Sequence, residues 1–372
     1  MSASKKQRSP AGEVGQLLVI GFDGTEMSPR LADLLYRVQP AGVILFARNI
    51  VNPQQTHRLL KDCQAAVSEP LFTAVDLEGG RVDRFRKALG AAPAAAEVFA
   101  SARPQLFRKH GEIIGRNCRA LGFNLDLAPV LDLAFESSHT VMSSRSVSQD
   151  PKQVVEYARA FLAGLRAAGV VGAGKHFPGL GEGSIDSHED LPIINKGFHA
   201  LWDEDLVPYR LMKRDLPMVL VNHASYPAVT RDRLPASLSR KWITDVLRRR
   251  IGFRGLILSD DLEMGGALRA ARVDEATVEF VRAGGDLALI CHEQENVEWG
   301  FEALARACER DPKFRKRARD SARRVAAFKR KHIRFLRPVP APAKEKIERL
   351  SRQLWEFSEQ IRLRQLSAGA GR

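Results

Sequence analysis

Eight short runs of nearly unbroken apolar character recur along the chain, at 17–22, 42–46, 71–75, 124–129, 170–174, 218–222, 256–259 and 287–291. A strand with one face in water alternates apolar and polar residues. Runs that do not alternate describe strands covered on both faces, the condition of a parallel sheet. Helix-length segments lie between them, and several have clean starts. Ser28-Pro29, Asn52-Pro53 and Asp150-Pro151 each set a capping side chain ahead of a proline at the first helical position. The spans 104–121, 152–168, 239–250 and 273–284 carry apolar residues at helical spacing. Eight strands alternating with helices predict an α/β fold, a (β/α)8 TIM-like barrel. A doubly wound sheet is the alternative, but no Gly-x-Gly-x-x-Gly turn follows the first run to support a nucleotide site.

A barrel concentrates reactive residues just beyond the C-terminal ends of its strands. Charged residues stand at those places here. The third run leads into Asp76, Glu78, Arg81, Asp83 and Arg84; the fifth into Lys175-His176; the sixth into Asn222-His223; the seventh into Asp260-Asp261 and Glu263. Against an apolar core such groups are costly, so a shared polar cleft is the economical reading. The stretch after the fifth run is the richest in chemistry. Two His, a Lys and an Asp (Lys175, His176, Asp186, His188) fall within fourteen residues, on a loop punctuated by Gly179, Gly181 and Gly183.

The 372-residue chain has ordinary globular composition, with 44% apolar and 27% charged residues. Cys63, Cys118, Cys291 and Cys308 are scattered without metal spacing, which argues against a disulfide framework or a zinc site and suits a reducing compartment. No run reaches the ~18 apolar residues of a membrane span, and 14–22 is too short for a secretory leader, so a cytoplasmic location is expected. The net charge of +14 suggests a polyanion partner until it is located. Residues 311–372 carry 19 Lys/Arg against 6 Asp/Glu, leaving the body almost neutral; no nucleic-acid partner is expected.

The basic region has two parts. Phe314, Ala318, Ala322, Val325, Phe328 and Phe335 form an apolar stripe, predicting a helix docked on the body. After the break Pro338-Val-Pro-Ala-Pro342, the residues Ile347, Leu350, Leu354, Phe357 and Ile361 follow the seam spacing of a helical bundle. The expected organisation is a barrel over 1–335 and a basic helical tail over 336–372. The tail reads as a clasp with a solvated basic face; contact with an anionic surface, or self-association through a partner helix, is the alternative.

Several motifs together resemble glycoside hydrolase family 3, in its single-domain bacterial β-N-acetylhexosaminidase branch. They are Ala74-Val-Asp-Leu-Glu-Gly-Gly-Arg-Val-Asp-Arg84, Lys175-His-Phe-Pro-Gly179, Asp186-Ser-His188 and Gly255-Leu-Ile-Leu-Ser-Asp260-Asp-Leu-Glu-Met264, supported by Ala128-Pro-Val-Leu-Asp132 and Pro235-Ala-Ser-Leu-Ser239. The likeness runs from about residue 12 to about residue 331, in family order. It implies removal of terminal β-linked N-acetylglucosamine, typically from peptidoglycan fragments, by a retaining mechanism without metal or organic cofactor. By the same resemblance Asp260 is the nucleophile and His188 the proton donor with Asp186 as its partner. Asp76, Arg84, Arg145, Lys175 and His176 are the sugar-binding set. A His suits the donor role because its pKa of about 6.5 lets it give and take a proton near neutrality. Glu78 is expected to support the strand-three loop rather than react. The chain departs from the family at Leu180, where a His is usual, and around Arg145, which lacks the flanking Gly-Asp and Phe-Gly. The alternatives are a phosphorylase or β-glucosidase on the same fold, or a catalytically silent barrel with a binding tail.

Overall fold

The structure is a computed structural model that describes residues 13–136, 142–182 and 191–369. The apolar runs become β1 (Leu18–Ile20), β2 (Gly42–Leu45) and β3 (Phe72–Val75), then, after a small hairpin of β4 (Leu77–Gly79) and β5 (Val82–Asp83), β6 (Leu125–Asp126), β7 (Val171–Phe177), β8 (Met218–Val221), β9 (Leu256–Asp261) and β10 (Leu287–Ile290). Eight of them close into a parallel barrel in the order β1-β10-β9-β8-β7-β6-β3-β2. Its seam pairs Leu18, Val19 and Ile20 of β1 with Ala288, Leu289 and Ile290 of β10. The main helices are α1 (Pro29–Val38), α2 (Pro53–Ala65), α3 (Pro104–Leu121), α4 (Pro151–Ala168), α5 (Lys241–Ile251), α6 (Val273–Ala283), α7 (Gln294–Arg310), α8 (Pro312–Lys331) and α9 (Lys344–Gly369). The expected caps are in place: Ser28 Oγ accepts from Leu31 N at 3.1 Å, Asn52 Oδ1 from Gln55 N at 2.9 Å and Asp150 Oδ1 from Lys152 N at 2.8 Å.

Strand residues alternate between two apolar layers. Val19, Ile44, Ala74, Leu220 and Leu258 fill the barrel interior, while Leu18, Ile20, Val43 and Val219 pack outward under the helices. Both layers are buried, so the strands read as unbroken apolar runs. Four strand extents differ clearly from expectation. The first run, 17–22, forms a strand only over Leu18–Ile20. The fourth run shrinks to Leu125–Asp126, and Pro129, within the same run, has no N–H for a ladder. β7 and β9 extend through Lys175-His176 and Asp260-Asp261, because backbone pairing continues beneath charged side chains: Leu131 N donates to Lys175 O at 2.6 Å, and Leu289 pairs with Asp261.

The basic C-terminal region packs on the body. Helix α8 crosses the N-terminal end of the barrel, where Val325 joins the interior cluster and Phe328 meets the edge of Phe72 at 6.0 Å. Lys329 lies buried over the Phe72 ring, with its Nζ 3.0 Å from Gln16 Oε1. Helix α9 buries Leu350, Leu354, Phe357 and Ile361 against the barrel's outer layer, and Phe357 stacks on His110 of α3 at 5.8 Å. The seam spacing read in the sequence thus faces the same chain. Among the described residues, no helix is long and apolar enough to cross a membrane.

Candidate active site

The C-terminal mouth of the barrel collects a chain of charges that begins on β3. Asp76 follows that strand directly, and the β4–β5 hairpin then folds Glu78 inward. The turn needs glycine: Gly79 and Gly80 have φ of 86° and 58°, and a Cβ on Gly79 would lie 2.1 Å from Pro93 O. Glu78 is thereby only 4% exposed. Lys175 Nζ sits between the two carboxylates, 2.7 Å from Asp76 Oδ1 and 2.6 Å from Glu78 Oε1. Arg145 grips Glu78 with two parallel bonds, Nε to Oε2 and Nη2 to Oε1, both 2.8 Å. The same Nη2 lies 3.2 Å from Nε2 of His176, whose Nδ1 is 2.6 Å from Asp132 Oδ2. The series therefore runs Asp76, Lys175, Glu78, Arg145, His176, Asp132.

The tautomer of His176 follows from its partners. Arg145 can only donate, so Nε2 must offer its lone pair, and the ring proton is on Nδ1, donated to Asp132. Asp132 has a second task. Its Oδ1 accepts from Leu180 N at 2.7 Å, and its Oδ2 also accepts from His176 N at 3.2 Å. One buried carboxylate thus holds both the histidine and the root of the glycine-rich loop. Gly179, at φ 140°, lets that root pass the Asp205 side chain, which a Cβ would approach to 2.7 Å. Leu180, where the family usually has a His, is buried among apolar residues.

The ion pairs fix protonation states. Burial works against the charge on Glu78, yet Arg145 and Lys175 hold its carboxyl well below the usual range. Asp76 is likewise held low by Lys175 and Arg84 against the opposing effect of burial. Lys175 and Arg145 are raised by the same carboxylates despite burial, so all four stay charged. Behind them Asp126 behaves oppositely: burial pushes it well up, with one backbone donor, Leu77 N at 3.0 Å.

Across the mouth, on β9, neighbouring aspartates have different lives. Asp261 is committed to structure, accepting from Glu263 N at 3.1 Å and Cys291 N at 3.2 Å and lying 3.1 Å from His292 Nε2. Asp260 is half-buried and accepts, through Oδ1, from Asp261 N at 3.0 Å. Burial, followed by the carboxylates Asp261, Glu263, Asp76 and Asp260, pushes the Cys291 thiol well up. His223, after β8, is kept neutral by burial; its Nε2 donates to Asp261 O at 2.8 Å.

The structure therefore brings Asp76, Arg145, Lys175 and His176 into one bonded series, with Arg84 acting on Asp76 from its edge and Asp260 standing apart on β9. Asp186 and His188 lie outside the described residues. Asp132 and Glu78 bind this series together, although the sequence suggested no binding task for either. Phe46, Arg48 and His292 were also missed: Arg48 and Arg84 lie 4.8 and 5.7 Å from the Phe46 ring, and His292 stacks on it at 5.6 Å. A short apolar run ending in Phe-Ala-Arg gave no sign of this wall. Among the described residues, no group of three or more His, Cys, Asp or Glu is placed to hold a metal ion.

Residues 11–328 match the family described as glycosyl hydrolase family 3 N terminal domain. The chain is 39% identical over 288 residues to the β-hexosaminidase of Alkalilimnicola ehrlichii, covering 75% of this chain and 82% of that protein. It is 37% identical over 309 residues to the β-hexosaminidase of Thiobacillus denitrificans, covering 78% and 84%. Among solved structures it resembles the family 3 β-N-acetylglucosaminidase of Paenibacillus sp. str. FPU-7, with a TM-score of 0.86, 30% identity, and coverage of 95% of this chain and 69% of that one. It also resembles the β-N-acetylhexosaminidase of Beutenbergia cavernae, with a TM-score of 0.79, 26% identity, and coverage of 86% and 98%.

Proposed function

The chain belongs to glycosyl hydrolase family 3, and from that membership we propose that it is a retaining β-N-acetylhexosaminidase releasing terminal β-linked N-acetylglucosamine. The observation that carries this reading is the charged series from Asp76 to His176 at the C-terminal ends of β3 and β7. Sugar hydroxyls and an acetamide need donors and acceptors in fixed places. Ion pairs that hold one another in place provide them without reorganisation.

In the proposed first step an Asp260 oxygen attacks the anomeric carbon. The bond to the leaving oxygen breaks, and that oxygen takes a proton from His188, whose ring Asp186 orients. In the second step His188 removes a proton from water, the water oxygen attacks the same carbon, and the bond to Asp260 breaks. Two inversions leave the configuration retained. Asp260 suits the nucleophile's role because, among the described residues, only its Oδ1 is engaged, by the neighbouring Asp261 N, whereas Asp261 is used by its neighbours. The roles of His188 and Asp186 rest on the motif Asp186-Ser-His188 alone. Peptidoglycan fragments in the cytoplasm are the proposed substrate, on the same resemblance.

The test compares an aryl β-N-acetylglucosaminide with the matching β-glucoside. We expect strong preference for the former and near-complete loss in Asp260→Ala. Equal turnover of both sugars, or an active Asp260→Ala, would overturn the assignment. Sugar 1-phosphate formed in phosphate buffer would show phosphorolysis instead.

A further inference from the structure

At the N-terminal end of the barrel, opposite the sugar site, a cavity of about 770 Å³ opens between the starts of β7, β8 and β9 and the end of α8. That volume falls within the range of small-molecule sites. Its floor is apolar, built from Leu162, Val170, Leu216 and Leu256, all buried. One wall is aromatic: His332 stacks between Phe328, at 4.2 Å between ring centres, and Phe335, at 5.8 Å. The rim holds Arg166, Lys213, Arg214, Arg254 and Lys331, which are exposed and, among the described residues, have no carboxylate partner. The one acid there, Asp215, is taken by Arg159 at 2.9 Å, and Arg324 is taken by the buried Asp286.

Five cations around one cavity, without a carboxylate partner among the described residues, repel one another, and the low-dielectric floor beneath them focuses their field. His332 senses that field: burial, then Lys331, Arg166 and Arg334, push its pKa down. The neighbouring ion pairs show that carboxylates were available to neutralise a rim of this kind. A concave apolar floor under a ring of cations matches an organic anion with its charge at one end and an apolar or planar body at the other. Flat anionic surfaces do not reach such a floor.

We propose that this cavity binds a soluble organophosphate, with phosphate oxygens on the Arg/Lys rim and the organic body against the Phe328–His332–Phe335 wall. The full-length protein is titrated with the methylanthraniloyl derivative of ADP, followed by fluorescence, with inorganic pyrophosphate as competitor. We expect saturable binding, displacement by pyrophosphate and weakening with added salt. The double variant Lys213→Glu/Arg254→Glu weakens binding by about tenfold or more, since both groups then repel phosphate. Its hydrolysis of aryl N-acetylglucosaminide stays at the wild-type rate, because neither residue is near the sugar site. Absence of saturation, binding indifferent to the double variant, or retention only on phosphatidylglycerol vesicles would overturn the proposal.

Discussion

Asp132→Asn exchanges one carboxylate oxygen for an amide nitrogen and leaves the shape almost unchanged. Asp132, 1% exposed, accepts from three donors: His176 Nδ1, His176 N and Leu180 N. An amide offers a single accepting oxygen. With that oxygen toward His176, the new N–H group meets the Leu180 N–H; turned around, it meets both donors of His176. At least one buried donor then lacks an acceptor, which costs about 1–3 kcal/mol. The surviving bonds lose the assistance of a charge, and roughly half their strength with it. We expect urea unfolding to show a loss of about 2–4 kcal/mol. The imidazole could escape by moving its proton to Nε2, but Arg145 Nη2 waits there at 3.2 Å and can only donate. The ring must therefore shift, and kcat/KM should fall by about ten- to a hundredfold. A variant with unchanged unfolding midpoint and unchanged kcat/KM would refute the reasoning. Lost stability with intact kcat/KM would show that Asp132 anchors the loop root without setting the ring.

Other expectations follow from the same structure. Glu78→Gln leaves Lys175 and Arg145 facing each other across a neutral amide, so chemical denaturation should register a loss of about 3 kcal/mol or more, as for a broken buried pair. Because the folded-state pKa of Glu78 is lowered, its contribution is present above the unfolded value of about 4.3 and is lost on acidification; the variant should lack that part of the acid-induced decline. Asp205 has the opposite sign: burial pushes it up to about 6, although Lys196 Nζ lies 2.8 Å away. The folded protein then holds a proton that the unfolded chain releases near pH 4, so stability falls as pH rises between about 4 and 6. Asp205→Asn should lack that slope, so the difference between the wild-type and variant melting temperatures should change across this range; a difference that stays constant with pH would count against it. Phe357→Ala empties a buried site against His110 and should lower stability by about 3–4 kcal/mol in calorimetry.

The barrel was legible because its strands are covered on both faces and its helices begin with caps, both of which leave local marks. Strand ends were less so. Lys175-His176 and Asp260-Asp261 look like loop chemistry in sequence, but their backbones remain in the ladder. The charged series at the barrel mouth was only half legible. Asp76, Lys175, His176 and Asp260 sit beside apolar runs and draw the eye. Arg145 lies in a stretch with no local pattern, and the tasks of Glu78 and Asp132 are set by what faces them from 67 and 48 positions away. Such pairings are written in the topology rather than in the spacing. The seam in the tail was read correctly as a packing surface, but spacing alone does not say whether the partner is another molecule or the same one.

The fastening of α8 across the barrel floor has a consequence for how the chain is made. The strand that emerges first from the ribosome, β1, has β10 as one neighbour, and Gln16 awaits Lys329, 313 positions further on. Vectorial synthesis therefore yields an unclosed half-barrel for most of translation, with the Phe72 side of its interior wet until α8 arrives. Growing chains stopped short of residue 325 should be held by chaperones, and those released after residue 331 should close at once.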